Sequence, residues 1–344
     1  MLSVEVTGRC DRTCPHCYNA WALDRSGPQP VGRHVGLPLQ PATPPGLPAD
    51  ALVALVRDVL RQSGLSAVQI TGGEPTLRDD LPALLEGLRP HVRGLSMVTD
   101  GARLDAAWVA RLKRLKVGPV QPTLLAADRA VHDRLKGAPC FDATVDALAR
   151  LVAAGVPTSV AFVCTRETAP HFHDVLELCF ALGVRSVAFA RLCTAGAAVG
   201  HGTDLAPTRE QLDACLASAD RAVARLGMHV HVAVSLPLCA APPARYPHLT
   251  FGRCAVSAGA PGFTLDPHGR LRACSISPTV LGDLTREPWS AVMARARTGY
   301  LARMAEIPPP CRSCVDVSRC GGGCRESALA AFGDLAHADP LADL

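Results

Sequence analysis

Short apolar segments alternate with amphipathic stretches from residue 1 to about residue 235, and this alternation constrains the fold more than any other feature. Strand-like segments fall at residues 2–6, 67–70, 94–98, 120–124, 158–164, 186–190 and 228–234. Helical patterns fall at residues 49–63, 81–91, 105–115, 141–154, 169–182 and 208–226. Strands that alternate with helices run parallel, because each helix serves as a crossover connection. The sequence therefore predicts an α/β fold built on a parallel sheet.

Length and charge exclude several classes of protein. The 344 residues suffice for one large domain and a smaller one, and a hydrophobic content of 48% permits a sizeable core. The net charge is only +4, and no run of lysine or arginine suggests a nucleic-acid partner. No uncharged apolar run reaches the roughly 18 residues that a membrane helix requires. Charged residues interrupt the first apolar stretch, so it does not match a signal peptide. We expect a cytoplasmic protein that binds neither nucleic acid nor membrane.

Three cysteines follow the first predicted strand with the spacing Cys10-x3-Cys14-x2-Cys17. A structural zinc site requires four protein ligands, so this loop does not close one by itself. Three thiolates can instead hold three irons of a [4Fe-4S] cluster and leave the fourth iron open. The spacing therefore predicts an iron–sulfur cluster that can bind and reduce another molecule.

A second motif, Gly72-Gly73-Glu74-Pro75, follows the second predicted strand. Glycines allow the backbone to approach a ligand without a side-chain clash, and Glu74 can accept a hydrogen bond from a ligand ammonium group. Active sites of barrels built from parallel strands lie at the carboxyl ends of the strands. We therefore expect this motif and the cysteine loop to share one site.

The two motifs together resemble the radical S-adenosylmethionine (SAM) superfamily. The resemblance covers residues 1–235 and implies a partial (β/α)6 TIM-like barrel. It implies that the amino and carboxylate groups of SAM bind the open iron, and that an electron cleaves SAM to a 5'-deoxyadenosyl radical. By the same resemblance the Gly-Gly-Glu-Pro run grips the amino group of SAM, and His16 packs near the adenine. The stretch 131–137 also matches the family pattern.

Three further residues are candidate SAM contacts by this resemblance. Thr99 belongs to a Thr-Asp-Gly run where the family usually has Thr-Asn-Gly, so Asp100 is a departure. The family usually has Ser-Leu-Asp-Gly at the end of the fourth strand, and Thr123 keeps the hydroxyl group of that serine. Pro122 and the absence of Asp-Gly are departures from the pattern. Arg166 follows the fifth predicted strand and is either a contact of the SAM carboxylate or a solvated loop arginine.

A second group of cysteines occupies residues 236–344, which we interpret as a separate small domain. Its members are Cys254, Cys274, Cys311, Cys314, Cys320 and Cys324. Between the first two, residues 263–273 predict a hairpin that turns at 267–269. The Cys-x2-Cys spacing, taken alone, is also typical of a four-cysteine zinc site. Following a radical SAM barrel, the arrangement instead resembles the SPASM domain, which binds auxiliary [4Fe-4S] clusters.

The SPASM resemblance implies one or two auxiliary clusters. Cys254, Cys274 and Cys324 would hold the first, and Cys311, Cys314 and Cys320 would hold the second. Each set is one thiolate short, because no cysteine occurs between residues 325 and 344. Cys239 or the substrate is a candidate to complete the first set. The candidates for the second set are Asp334, His337 and Asp339, and that cluster is otherwise open, three-iron or absent.

Two residues at the exit of the sixth predicted strand are candidate catalytic residues. A thiol at Cys193 could donate a hydrogen atom to a substrate radical, and Arg191 beside it could contact the substrate. The remaining cysteines, such as Cys179 and Cys215 within helices, suit small core positions. The proline-rich stretch 26–48 is predicted to be a long loop, which could form a lid or a partner surface. A second proline-rich stretch, 237–247, is predicted to be a domain linker.

The leading functional hypothesis is a radical SAM/SPASM enzyme that oxidises or cross-links a ribosomally synthesised peptide. It requires a reductant such as flavodoxin or ferredoxin. The chain starts at the first barrel strand, which leaves no room for an N-terminal peptide-recognition domain and favours a small-molecule substrate, although a separate protein could recognise the peptide. The alternative is a radical SAM dehydrogenase or epimerase that acts on a small molecule such as an aminosugar. A non-catalytic zinc or redox-sensing protein is the third hypothesis.

Overall fold

The computed structural model describes residues 1–19, 46–260 and 262–342. The predicted long loop at 26–48 therefore lies outside the described residues except at 46–48. Within the described ranges, no helix has both the length and the apolar character needed to cross a membrane.

Parallel strands form the wall of a partial barrel. They are β1 (Leu2–Glu5), β2 (Ala67–Thr71), β3 (Gly94–Thr99), β4 (Val120–Pro122), β5 (Val160–Cys164), β6 (Ser186–Arg191) and β7 (His229–Val232). β1 to β4 pair in sequence order, as do β5 to β7. Parallel bridges from Val120 to Thr158 and from Thr123 to Ala161 join the two groups into one arc. The predicted α/β fold with a partial barrel is confirmed.

Helices cover the outer face of the arc. They are α1 (Ala49–Ser63), α2 (Leu81–Leu88), α3 (Ala106–Arg114), α4 (Arg129–Lys136), α5 (Phe141–Ala153), α6 (Phe172–Ala181) and α7 (Arg209–Leu226). The sequence predicts a capping box at the start of α7, and the structure confirms it, because Thr208 and Gln211 exchange hydrogen bonds of 3.2 and 2.9 Å. The short helix α4 was not predicted. Its signals are Asp128, which caps Val131 N at 2.9 Å, and Gly137 at its carboxyl end.

Buried apolar side chains form two cores along the arc. One core lies behind β1 to β4 and includes Leu2, Ile70 and Leu85, which are fully buried. The other lies behind β5 to β7, where Phe162 and Phe189 contact Phe172 of α6. Burial of such side chains stabilises the fold by about 1.5–3 kcal/mol each. The barrel is thus a rigid support for the loops at its strand exits.

The C-terminal region extends both ends of the arc. Its elements are β8 (Thr250–Phe251), β9 (Thr264–Leu265), β10 (Arg270–Arg272), β11 (Val280–Asp283), α8 (Trp289–Thr298), α9 (Tyr300–Ala305), α10 (Val317–Cys320) and α11 (Arg325–Phe332). β9 and β10 form the predicted hairpin, and β9 pairs in parallel with β1. β8 pairs with β7. A buried ion pair between Glu5 and Arg272 also joins the hairpin to the barrel. The domain boundary at 235 stays a prediction.

Candidate metal centres

Gly72 and Gly73 lie against the backbone of the loop that follows β1. The Gly73 N–H donates to Thr7 O at 2.8 Å. A Cβ atom on Gly72 would lie 2.6 Å from Thr7 O, and one on Gly73 would lie 2.1 Å from Arg9 O. Gly72 also has a φ of +148°, which side chains disfavour. The glycine pair is therefore required for the packing of the cysteine loop itself, a reason that the sequence interpretation missed.

Two other segments, the carboxyl end of α4 and the chain beyond β6, also hold the same loop with glycines. Thr13 N donates to Lys136 O at 3.1 Å. A Cβ on the adjacent Gly137 would lie 1.9 Å from Thr13 Oγ1, and one on Gly196 would lie 2.5 Å from Cys17 O. Gly196 was not predicted to have a role. The only sequence feature that could have indicated one is its position just beyond a barrel strand. The loop is thus fixed by backbone contacts from several segments.

The three thiols of this loop influence one another. Burial, together with the charges of Cys14 and Cys17, raises the pKa of Cys10 to about 12. Burial likewise raises the pKa of Cys17 to about 11 and that of Cys14 above its usual value. These thiols would be protonated at neutral pH unless a metal supplied positive charge. Without a metal, these cysteines are therefore buried, protonated thiols rather than reactive free thiolates.

The spacing of the cysteine sulfurs does not suit a single metal ion. Across the described residues, the only three candidate ligand atoms within 4.8 Å of one another belong to His132, Asp133 and Cys140. Asp133 already accepts hydrogen bonds of 2.8 Å from Cys140 N and Phe141 N. A zinc ion with 2.3 Å bonds to sulfur requires sulfurs roughly 3.8 Å apart. No three cysteine sulfurs among the described residues lie within 4.8 Å of one another.

Glu74 joins the exits of β2 and β3. Its buried carboxylate accepts hydrogen bonds of 2.7 Å each from Thr76 Oγ1, Thr99 Oγ1 and Asp100 N. Burial and the charge of Asp100 raise the pKa of Glu74. Pro75 begins the short turn that carries Thr76. Thr99 thus orients Glu74, and the contacts of both residues with SAM stay predictions.

The departure from the family pattern at Asp100 has a local explanation. Its carboxylate lies 2.7 Å from Arg12 Nε, and both side chains are largely buried. The neighbouring Asp11 forms a second ion pair, at 2.7 Å, with Arg103. An asparagine at position 100 would remove the closer of the two charge partners of Arg12, the other being Asp11 at 3.3 Å. These two pairs fasten the cysteine loop to the exit of β3.

His16, Thr123 and Arg166 lie at different depths around the strand exits. His16 is buried, and burial lowers its pKa to about 3, so the ring is neutral. Its Nδ1 has no hydrogen-bond partner among the described residues. Thr123 is half-buried beyond β4, and its N–H donates to Thr99 O at 3.1 Å. Arg166 is exposed and donates from Nε to Ala206 O at 3.1 Å. Their proposed SAM contacts stay predictions.

Cys254, Cys274 and Cys324 come together from separate segments. Burial raises the pKa of Cys274 well above its usual value, and the charges of Glu326, Cys324 and Cys254 raise it further. Cys324 is buried at the start of α11, and its N–H donates to Asp339 Oδ2 at 2.7 Å. That these three residues hold the first auxiliary cluster stays a prediction.

The exit of β6 packs directly on this first set. Arg191 Nη1 donates to Asp339 Oδ1 at 2.7 Å, and Nη2 donates to Ser327 Oγ at 2.5 Å. Burial, together with the charge of Cys324, raises the pKa of Cys193 to about 12. Both predicted catalytic residues are therefore buried against the auxiliary cysteines. A substrate contact of Arg191 and hydrogen donation by Cys193 stay predictions.

The second set lies in one short segment. Cys314 N donates to Cys311 O at 3.1 Å, and Cys320 N donates to Asp316 O at 2.8 Å. Cys239, which the sequence interpretation offered to the first set, is exposed, and its role as a cluster ligand stays a prediction. Burial raises the pKa of Cys311, and the charges of Cys320, Cys239 and Cys314 raise it further.

Arg325 provides a test of whether these residues fit iron–sulfur clusters. Its side chain is fully buried, and Nη1 donates to His337 O at 2.7 Å. Nε and Nη2 have no hydrogen-bond partner within the described part of the chain. Burial lowers the pKa of Arg325, whereas the charges of Cys254, Cys311 and Cys324 raise it. Thiolate and sulfide atoms of clusters would accept these two orphan N–H groups, so the residues fit auxiliary clusters.

Comparison with known proteins agrees with this arrangement. A family profile described as the radical SAM superfamily matches residues 4–179. A PqqA peptide cyclase from Granulibacter bethesdensis is 27% identical over 352 aligned residues, which cover 100% of this chain and 87% of that protein. The crystal structure of Streptococcus suis SuiB bound to the precursor peptide SuiA covers 100% of this chain and 75% of its own, with 15% identity and a TM-score of 0.72. Native anSMEcpe with bound AdoMet covers 98% and 92%, with 15% identity and a TM-score of 0.70.

Proposed function

Because the chain belongs to the radical SAM superfamily, we propose that it is a radical SAM/SPASM enzyme that oxidises or cross-links a ribosomally synthesised peptide. The observation that carries the proposal is similarity to a PqqA peptide cyclase over 100% of the chain, since it includes both cysteine regions. The full-length fold shared with SuiB, which was crystallised with its precursor peptide, is consistent with this proposal.

Cys10, Cys14 and Cys17 would hold the [4Fe-4S] cluster that binds SAM. When bound, that cluster supplies the electron that cleaves SAM, and the 5'-deoxyadenosyl radical takes a hydrogen atom from the substrate. The chain's own contribution is a fixed loop geometry. Gly72 and Gly73 allow the loop to pack, and the Arg12 ion pair with Asp100 holds it against the exit of β3. Rigid positioning of this kind is what radical chemistry requires from the protein.

The first auxiliary set offers a route for electrons out of the substrate. After one hydrogen atom has been removed, oxidation or cross-linking requires that one further electron and one proton leave the substrate. Cys254, Cys274 and Cys324 would hold an acceptor for that electron. The burial of Arg191 and Cys193 against Cys324 supports this role, because these residues belong to a barrel strand exit, where barrel substrates bind.

The proposed reaction is oxidoreductive and takes place in the cytoplasm. Thiol ligands remain reduced in that compartment, and every cysteine that the structure describes is free of disulfide bonds. The partners are a flavodoxin or ferredoxin as the reductant and, for peptide capture, a separate recognition protein.

The experiment combines anaerobically reconstituted enzyme, SAM, dithionite and candidate precursor peptides taken from short open reading frames beside its gene. We expect deoxyadenosine release together with a peptide mass lower by two hydrogen atoms. The Cys10→Ala variant should give neither product, because SAM cleavage requires all three thiolates. The Cys179→Ala variant is the matched control, since Cys179 is buried within α6.

The outcomes separate the candidate functions. Deoxyadenosine release with an unchanged peptide, and with turnover of an aminosugar instead, would support the small-molecule alternative. Absence of deoxyadenosine from the wild-type enzyme would contradict radical SAM chemistry.

A further inference from the structure

The inner face of β1 is polar. Leu2 and Val4 point outward into the core behind β1 to β4. Successive side chains of a strand point to opposite faces, so Ser3 and Glu5 face the interior of the barrel. Glu5 is completely buried although it carries a carboxyl group. A buried charge of this kind requires a partner, because its removal from water is costly.

The hairpin of β9 and β10 adds two polar side chains to the same face. Thr264 lies beside Ser3 in the parallel register and opposite Arg272 in the antiparallel register. The Arg272 guanidinium forms an ion pair with Glu5 Oε2. Its Nη1 also donates to Ser277 O at 2.9 Å, which fixes the orientation of the side chain. Arg272 therefore balances the charge of Glu5 from a fixed position.

Two buried polar atoms of this face have no hydrogen-bond partner among the described residues. They are Glu5 Oε1 and Thr264 Oγ1, and both side chains are 0% exposed. Leaving such an atom unsatisfied costs about 1–3 kcal/mol, so its presence in a folded protein often indicates a functional role. One carboxylate oxygen and one hydroxyl group thus remain to accept hydrogen bonds from a molecule inside the barrel.

Glu5 lies at the end of the barrel where the cysteine loop begins. It is the last residue of β1, and it lies beside Thr71, the last residue of β2. Val6 N donates to Thr71 O at 2.8 Å. The next residue, Gly72, accepts a hydrogen bond of 2.5 Å from Asn19 Nδ2, which follows the cysteine loop. Substrates of such barrels bind at these carboxyl ends of the strands, so Glu5 is placed to contact a substrate.

We propose that Glu5 accepts the proton that leaves the substrate during its oxidation. This inference rests on the proposed function, since it adds a step to the same reaction. The deoxyadenosyl radical removes one hydrogen atom and leaves one unpaired electron on carbon. A second hydrogen then leaves as a proton to Glu5 Oε1. Its bonding pair and the unpaired electron together provide the two electrons of the new bond and one electron for an auxiliary iron–sulfur cluster.

The charged surroundings of Glu5 are consistent with this role. Charged and titratable groups from β10, from the turn before it and from the cysteine loop interact with Glu5; they are Arg272, Arg270, Asp266, Tyr18 and Cys17. Burial raises the pKa of Glu5 to about 7, although the charge of Arg272 opposes this effect. A carboxylate with a pKa near the working pH is a suitable general base.

The test compares Glu5→Gln with the wild type, using SAM, dithionite and the precursor peptide that the wild type oxidises. We expect the ratio of oxidised peptide to deoxyadenosine to fall about a hundredfold, because a general base contributes about that much. Deoxyadenosine release, iron content and peptide affinity by fluorescence anisotropy should stay close to wild type. Glu5→Asp, which keeps the carboxyl group, should restore part of the ratio. Glu86→Gln, in an exposed ion pair with Arg114, should match the wild type.

An unchanged ratio in Glu5→Gln would overturn the proposal. Equal losses of iron, deoxyadenosine and oxidised peptide in a variant that circular dichroism shows to be folded would overturn it too, since they would indicate a purely structural role.

The wild type provides a second test that requires no variant. Its ratio of oxidised peptide to deoxyadenosine should fall as the pH decreases below about 7, because a protonated Glu5 cannot accept a proton. A ratio that is constant between about pH 6 and about pH 8 would contradict the proposal. Deoxyadenosine release by the wild type without oxidation of any peptide would instead show that the proposed function itself is wrong.

Discussion

The first cysteine loop is held in place mainly by backbone contacts, whereas the C-terminal cysteines are held among buried charged side chains. Gly73 is hydrogen-bonded to the loop through its N–H, and it has no room for a Cβ. Around Cys324, in contrast, Arg191 pairs with Asp339, and Arg325 is fully buried. A site built from the backbone leaves a compact motif in the sequence. A site built from distant side chains does not, and its ligands must be found in the structure.

The largest expected effect on iron content and activity comes from adding a methyl group at Gly73, which packs on the first cysteine loop. In Gly73→Ala the new Cβ would lie 2.1 Å from Arg9 O, so the loop must move. We expect the loss of about four irons and a fall in deoxyadenosine release of about a hundredfold, because small displacements of this kind disable a site. Iron analysis and chromatography of deoxyadenosine measure both effects.

The matched control is Gly252→Ala, whose Cβ would lie 3.8 Å from Val232 O, an ordinary contact. This variant should retain both iron and activity. Equal behaviour of the two variants would contradict the claim that backbone packing holds the first loop.

The buried ion pair of the C-terminal region should dominate its stability. The Arg191 and Asp339 side chains are 2% and 0% exposed, so Arg191→Met leaves an unpaired buried carboxylate. We expect the free energy of unfolding of the anaerobic holoprotein to fall by about 3–5 kcal/mol, as measured by urea denaturation.

The exposed pair between Arg129 and Asp142 serves as the comparison, since its side chains are 66% and 64% exposed. Arg129→Ala should cost less than about 1 kcal/mol. A loss of similar size in both variants would indicate that burial of the Arg191 pair contributes nothing.

A smaller effect is expected from Arg325, which should tune a cluster rather than hold it. Its two unpartnered N–H groups would stabilise the reduced, more negative cluster. We expect Arg325→Gln to lower the midpoint potential of an auxiliary cluster, and Arg325→Lys, which keeps the charge, to lower it less. Redox titration followed by electron paramagnetic resonance measures the shift, and identical potentials in all three proteins would exclude this role.

The sequence was sufficient for the barrel and for the first loop because their signals are local. Alternating segments predicted β1 to β7, and the hairpin of β9 and β10 followed from its turn residues. The cysteine spacing and the glycine pair both lie within short runs of chain. Such patterns depend on neighbouring residues and on strand order, and neither requires knowledge of distant contacts.

The contacts that escaped prediction are long-range in the chain. Asp100 was recorded only as a departure from the family pattern, and its pairing with Arg12 became visible only when two loops met. Arg191 was offered only as a substrate contact, yet its guanidinium pairs with Asp339, 148 positions away by their numbers. Helix α4 was missed for another reason, since its short polar sequence gives weak periodicity although both caps were present.

The most direct test of the account compares metal contents of three proteins after anaerobic reconstitution. They are the wild type, the triple variant Cys10/Cys14/Cys17→Ala and the triple variant Cys254/Cys274/Cys324→Ala. We predict about eight to twelve irons in the wild type and roughly four fewer in each variant, with deoxyadenosine release abolished in the first variant. If one of the two variants keeps the full iron content of the wild type, or if the wild type binds zinc in place of iron, the claim that two separate cysteine regions hold separate iron–sulfur clusters is contradicted.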